Sequence, residues 1–193
     1  MAQSAADALR QEYRPHRPKR IFDLVLAVPF AALSLPVLVL MAAVIRVSSK
    51  GPVVYAQTRV GRHGIPFRCY KLRTMHVDTP SVPTHEMAPN AVTPVGRFLR
   101  RTKLDELPQL WNVLRGDMSL VGPRPCLPEQ EELIRHRLHQ GVLAVAPGMT
   151  GLSQVRGIDM SNPALCAKTD AEYLRNWSLG RDVSLLAQTF RRS

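Results

Sequence analysis

Asp105 and Glu106 form an adjacent carboxylate pair directly downstream of four cations, Arg97, Arg100, Arg101 and Lys103. Phosphoryl chemistry needs both kinds of group: an anionic oxygen to attack, and cations to stabilise charge on the phosphate oxygens. A carboxylate among several cations is expected to stay ionised, competent as a nucleophile or metal ligand. Capping or solvated acids at a helix start are commoner than catalytic ones, so the pair needs support from its surroundings. That support comes from Gly122-Pro123-Arg124-Pro125, a turn whose prolines stiffen the backbone around one guanidinium fork suited to a phosphate. The same string is compatible with a plain structural turn. Lys71 and Arg73, near the end of an expected strand, are placed to meet the same anion. Pro147-Gly148-Met149-Thr150-Gly151 reads as an architectural turn, with a loop free to line a nucleotide pocket. The sequence holds no phosphate-binding P-loop, dinucleotide fingerprint or zinc pattern, and His63, His76 and His85 lack metal spacing.

These residues require elements to position them. Leu107, Leu110, Trp111 and Leu114 share one helical face, and Gly116 suits the position after its end. Pro108 is tolerated only in a first turn, so this helix is expected to start near Asp105, with the helix dipole beside the carboxylate. Val53–Gln57 and Phe67–Lys71 read as strands around the turn residues 62–66, giving a hairpin. Residues 76–94, with four prolines, read as a loop. Further helices are expected over 128–140 and, with an amphipathic pattern suited to a lipid interface, over 173–190.

Ile21–Ile45 is apolar apart from Asp23. As a straight helix, roughly 25 residues at about 1.5 Å each reach about 37 Å, enough to cross a bilayer. A cleaved signal peptide fits poorly, because polar residues precede the run and Lys50 follows it closely. Pro29 and Pro36 interrupt the run, and both flanks are basic. The positive-inside rule draws both flanks to the cytoplasm, which favours a re-entrant helix broken near Ser34–Pro36, with a single-pass span kinked at proline as the alternative. The chain carries 26 Lys and Arg against 15 Asp and Glu, a net charge of +11 that calls for a polyanionic partner. Cys69, Cys126 and Cys166 are widely spaced, as expected of reduced, buried thiols. A membrane-tethered basic binding module is the competing class, and a non-catalytic scaffold with Asp105 as a helix cap is another. Acids and bases interleaved over 97–125, with few aromatics, argue against a nucleic-acid stripe.

Five strings stand in order: Lys19-Arg20-Ile21-Phe22-Asp23, Tyr70-Lys71-Leu72-Arg73-Thr74-Met75, residues 104–114 (LDELPQLWNVL), residues 116–125 (GDMSLVGPRP) and Pro147–Gly151. From Lys19 to about Phe190 the chain resembles the bacterial sugar transferase family, the small monotopic phosphoglycosyl transferases. The resemblance implies an α+β chain: an N-terminal basic segment (1–18), a re-entrant membrane helix (19–50) hinged at Ser34 and Pro36, and a cytosolic catalytic domain (51–193). That domain is expected to be small and mostly helical, with a short β-hairpin and amphipathic interfacial helices. The implied reaction is ping-pong and magnesium-dependent. Asp105 attacks the β-phosphate of a UDP-sugar, releases UMP, and passes the phosphosugar to polyprenyl (undecaprenyl) phosphate. Glu106 completes the dyad in metal binding or proton handling. Lys71, Arg73, Arg100, Arg124 and Pro125 match phosphate-binding positions, and Asp170 and Tyr173 match a later substrate-contacting stretch. The implied place is the cytoplasmic face of the bacterial inner membrane, with both termini cytoplasmic. Implied partners are the UDP-sugar, polyprenyl phosphate and anionic lipid, with a homodimer left open and no nucleic acid. The family's break has serine directly before proline, whereas Leu35 intervenes here and Pro29 adds a second helix breaker. Larger members carry an N-terminal multi-span region, so a small stand-alone member is expected.

Overall fold

The computed structural model of the chain describes residues 17–77, 79 and 91–191. Helix α1 (Arg17–Ser48) holds 32 residues and reaches a mean hydropathy of 2.5, long and apolar enough to cross a membrane. The helix continues through Pro29 and Pro36, so the interruption expected at Ser34–Pro36 does not appear as a gap in helical structure. The Ser34 hydroxyl donates to the Ala31 carbonyl at 2.9 Å. Pro36 can offer no N–H to Ala32, and losing one such bond bends a helix more readily than it ends one. Asp23, Ala27, Ser34 and Ile45 are buried, while Val25, Leu33, Val39 and Val47 are exposed. One stripe therefore lies on the protein, and the apolar remainder calls for a non-aqueous neighbour.

Both ends of α1 are tied to the rest of the chain. Near its start, Lys19 Nζ donates to Asp182 at 2.7 Å, and Arg20 donates to the carbonyls of Val113 and Leu114. Asp23 Oδ1 accepts from the Ser119 hydroxyl and the Leu120 amide, both at 3.1 Å. Near its end, Ile45 packs in a cluster with Leu72 and Leu99.

Strands β1 (Val54–Val60) and β2 (Pro66–Leu72) form the expected hairpin, antiparallel with Gln57 opposite Cys69. Helix α2 (Pro94–Thr102) is capped by Thr93, whose side chain accepts from the Gly96 amide, and opens on proline. It gathers three of the upstream cations on one element, and Lys103 closes it in the left-handed region at φ 57°. A 3₁₀ turn, Leu104–Glu106, leads into α3 (Gln109–Arg115). The helix proper thus starts four residues after the expected point, because residues 104–108 wind more tightly before proline is passed. Beyond it lie β3 (Ser119–Val121), α4 (Glu131–His139), β4 (Gly148–Thr150), α5 (Leu152–Val155), α6 (Pro163–Arg175) and α7 (Leu179–Arg191). The helix expected over 173–190 is two helices, with Tyr173 on α6.

Strands β3 and β4 pair in parallel, and their backbones press together just beyond. The Gly122 amide donates to Thr150 O, and the Gly148 amide to Pro123 O, each at 2.8 Å. A Cβ on Gly148 would stand 2.0 Å from the Gly122 nitrogen, so only glycine allows this approach. The Pro147–Gly151 string is accordingly the brace that holds the Gly122–Pro125 turn. The main core joins Ala27 of α1 to Leu110, Val113, Val121, Leu152, Tyr173 and Leu185.

Candidate active site

The 3₁₀ turn sets Asp105, which is buried, against a cavity of about 560 Å³. Lys71 and Arg73 reach that cavity from β2 and the residue after it, Arg100 from α2, and Arg124 from the braced turn. Residues far apart in sequence thus line one cavity. Glu106 stands between two of the cations: its Oε1 accepts from Lys71 Nζ at 2.8 Å and from Arg124 Nη2 at 2.9 Å.

The two acids are displaced in opposite directions. Burial acts to raise the Glu106 carboxyl, but the Arg124 and Lys71 charges together hold it well below the ordinary glutamate range. Asp105 is raised, chiefly by burial and further by Glu106, against the lowering pull of Lys71 and Arg100. The cations named in the sequence do act on Asp105, since Lys71 and Arg100 lower its pKa, but burial outweighs them and the net direction is upward. Arg100 Nε is engaged by the Thr74 hydroxyl at 2.9 Å, Arg101 is exposed, and among the described residues no cation forms an ion pair with Asp105. Desolvation wins there.

Residues 14–193 match the family described as bacterial sugar transferase. The chain belongs to that family. It is 42% identical over 182 residues to a UDP-glucose:undecaprenyl-phosphate glucose-1-phosphate transferase of Caulobacter vibrioides, covering 89% of this chain and 67% of that protein. It is 38% identical over 189 residues to an undecaprenyl-phosphate galactose phosphotransferase of Salmonella typhimurium, covering 89% of this chain and 39% of that one. The uncharacterized sugar transferase EpsL of Bacillus subtilis is 38% identical over 179 residues, with 90% and 86% covered. The chain thus spans well under half the length of the Salmonella relative and most of the Bacillus one.

Four residues singled out in the sequence also have partners within the chain. Arg73 is buried, and its Nη2 donates to the Ser49 carbonyl at 2.9 Å and hydroxyl at 2.7 Å, tying the end of α1 to the rim of the cavity. Its Nη1 is buried without a hydrogen-bond partner. Pro125 is buried, and its carbonyl accepts from Arg59 Nη1 at 3.3 Å. Asp170 does not line the cavity. Its Oδ2 accepts from Arg137 Nε and Nη2 at 3.0 and 2.7 Å, and its Oδ1 from the Ser153 hydroxyl at 2.7 Å. Arg137 Nη1 in turn donates to the Arg124 carbonyl at 2.8 Å, and Ser153 lines the second cavity, so Asp170 meets the site through residues that it holds. Tyr173 is also remote: its hydroxyl donates to Asp182 at 2.7 Å, the acid that holds Lys19 of α1.

Sequence reasoning missed Arg137 and Asn112. Asn112 is fully buried, donates to the Arg68 carbonyl at 2.7 Å and accepts from the Tyr70 amide at 3.1 Å. It clamps α3 to β2 beside Lys71. An asparagine between Trp111 and Val113 in an amphipathic helix was its only signal. A second cavity, about 610 Å³, shares Arg59, Lys71, Lys103, Glu106 and Arg124 with the first and continues past Met149, Ile158 and Met160. Among the described residues, no three His, Cys, Asp or Glu side chains stand together as a metal cage.

Proposed function

We propose that this chain transfers a sugar-1-phosphate from a UDP-sugar to polyprenyl (undecaprenyl) phosphate, as the first membrane step of polysaccharide or glycoconjugate synthesis. The observation that carries the reading is a buried carboxylate, Asp105, without a salt-bridge partner among the described residues, facing a cavity walled by Lys71, Arg73, Arg100 and Arg124. The undecaprenyl-phosphate substrates in the names of the Caulobacter and Salmonella relatives agree with it.

A carboxylate oxygen of Asp105 attacks the β-phosphorus, and the bond from that phosphorus to the bridging oxygen breaks. The electron pair leaves with UMP, and the sugar phosphate stays on Asp105. The polyprenyl phosphate oxygen then attacks the same phosphorus, frees Asp105 and yields a polyprenyl diphosphate sugar. The weakened acidity of Asp105 raises its basicity and with it its nucleophilicity, while the neighbouring cations stabilise charge on the phosphate oxygens. Glu106, held anionic by Lys71 and Arg124, fixes both cations in place.

Magnesium is usually held by one or two carboxylates together with substrate phosphates rather than by a protein cage. Asp105 and Glu106, adjacent in one cavity, fit that donor set, and Asp105 is the less committed of the two. Bound there, the ion would neutralise charge on the diphosphate oxygens.

The same reading puts α1 in the cytoplasmic face of the bacterial inner membrane as a re-entrant element, with both termini cytoplasmic. Its support is that residues at both ends, Lys19 and Ser49, bond to the catalytic part of the chain. Replacing Asp105 with Asn in membrane preparations tests the chemistry. UMP release from UDP-glucose and UDP-galactose should fall by at least about a thousandfold, as for loss of an attacking group. Retained turnover would refute the proposal.

A further inference from the structure

We infer that Arg59 is a phosphate-binding residue of this site, seated where the two cavities meet and taking a phosphate group of one of the two substrates. The inference rests on the proposed transfer reaction for the identity of those substrates. Arg59 stands on β1 opposite Phe67, on the hairpin face that also carries Tyr55, Gln57 and, across the register, Lys71. It lines both cavities, together with Lys71, Glu106 and Arg124.

Charge balance in that wall is incomplete. Glu106 serves Lys71 and Arg124, both through one oxygen, whereas Arg59 has no carboxylate partner among the described residues. Its fork is held by neutral groups only: Nη1 donates to the Pro125 carbonyl at 3.3 Å and Nη2 to Gln57 Oε1 at 2.6 Å. Those bonds orient the guanidinium and leave its charge uncompensated. Burial and then the Arg124 charge lower its pKa from the ordinary arginine value, the signature of a cation desolvated beside another cation. A half-buried cation of this kind is disfavoured until an anion arrives, and a planar fork with spare N–H groups matches a phosphate.

Two sources of phosphate are available in the proposed reaction, the nucleotide-sugar diphosphate and the lipid monophosphate. The full chain in detergent or nanodiscs distinguishes them, with Arg59→Gln, Arg59→Lys and the exposed control Arg135→Gln. Calorimetric binding of inorganic pyrophosphate should weaken roughly 10- to 100-fold in Arg59→Gln, as for loss of a charged hydrogen bond, with partial recovery in Arg59→Lys. If Arg59 takes the donor phosphate, the UMP burst from UDP-glucose without acceptor falls by a similar factor. If it takes the lipid phosphate, the burst stays intact and the KM for undecaprenyl phosphate rises instead. Should Arg59→Gln fail to fold by thermal unfolding, Arg59→Lys carries the same test, because it keeps the charge and removes the fork. Both half-reactions within about threefold of the control in the folded variant would overturn the assignment, whatever pyrophosphate does. A wild-type chain that releases no UMP would instead defeat the transfer reaction, and the pyrophosphate comparison alone would then decide Arg59.

Discussion

Replacing Asp170 with Asn should destabilise the chain far more than it alters substrate affinity. Asp170 and Arg137 are both about 2% exposed, and the pair is joined by two hydrogen bonds, with Ser153 on the remaining oxygen. Removing one partner of such a pair strands a buried charge, at a cost of about 3–5 kcal/mol. Against a total stability of about 5–15 kcal/mol that is a large share. At roughly 2–4 °C per kcal/mol for a chain of this size, the unfolding transition should drop by roughly 10 °C. Thermal unfolding of the full chain in detergent measures it, alongside single-turnover UMP release well below the transition. Arg137→Met should show the same loss. The double variant Arg137→Met with Asp170→Leu should recover to within about 2 kcal/mol of wild type, since a buried pair exchanged for apolar groups costs little. Its UMP release should stay depressed, because the Arg124 carbonyl has lost the Arg137 N–H that positions it. An unchanged transition in Asp170→Asn with weakened UDP-sugar binding would refute this account and make Asp170 a substrate contact.

Two further outcomes are expected. Asp105 is raised by burial, so its attacking form disappears, as pH falls, at a higher pH than for an ordinary aspartate; the acid limb of UMP release should lie there, and Arg100→Gln, which removes a lowering charge, should move it higher still. A limb that stays put in Arg100→Gln would contradict the electrostatic assignment. For topology, Pro18→Cys and Lys50→Cys should both resist a membrane-impermeant maleimide in intact spheroplasts and both react after permeabilisation, the native cysteines being buried; labelling of one from outside would establish a single span.

Local pattern carried the legible part of the fold. The hairpin and α3 were readable because alternation, glycine turns and one apolar helical face are encoded within a few residues. Strands β3 and β4 were not, since three residues apiece show no period and their pairing depends on contacts between residues 119–121 and 148–150. Helix α2 was hidden by its polarity: with Arg97, Arg100 and Arg101 among nine residues, it reads as a charge run until Thr93 and Pro94 are taken as a helix start. In the site, Lys71, Arg100 and Arg124 line the cavity beside Asp105, while Asp170 and Tyr173, both buried on α6, line neither cavity. An acid and a tyrosine carried by a motif look alike in sequence whether they touch substrate or hold the residue that does. Helix α1 illustrates the converse limit: two prolines signal a weak point, but whether it breaks or only bends is settled by what packs around it.

The division of labour within the dyad follows from which of two neighbouring acids the cations choose. On the 3₁₀ turn the side chains of residues 105 and 106 diverge, and Lys71 and Arg124 both close on the second. Glu106 is thereby the weaker base and a poor candidate for proton handling, since a group so strongly held anionic would give up its two cations to accept a proton. The consequence reaches Asp105: with the nearest cations bound elsewhere, burial dominates and its oxygen keeps the electron density that attack on phosphorus requires. Two acids pushed apart by their surroundings is the pattern expected where neighbouring carboxylates take separate chemical roles. Exchanging the acids, by Asp105→Glu with Glu106→Asp, would put the longer arm on the attacking position and the shorter one on the clamp. Glu106→Asp alone should loosen Lys71 and Arg124 and slow UMP release, while Asp105 remains in place. A fully active exchange variant would mean that neither position is set by the cations, and that the opposed acidities are incidental to the reaction.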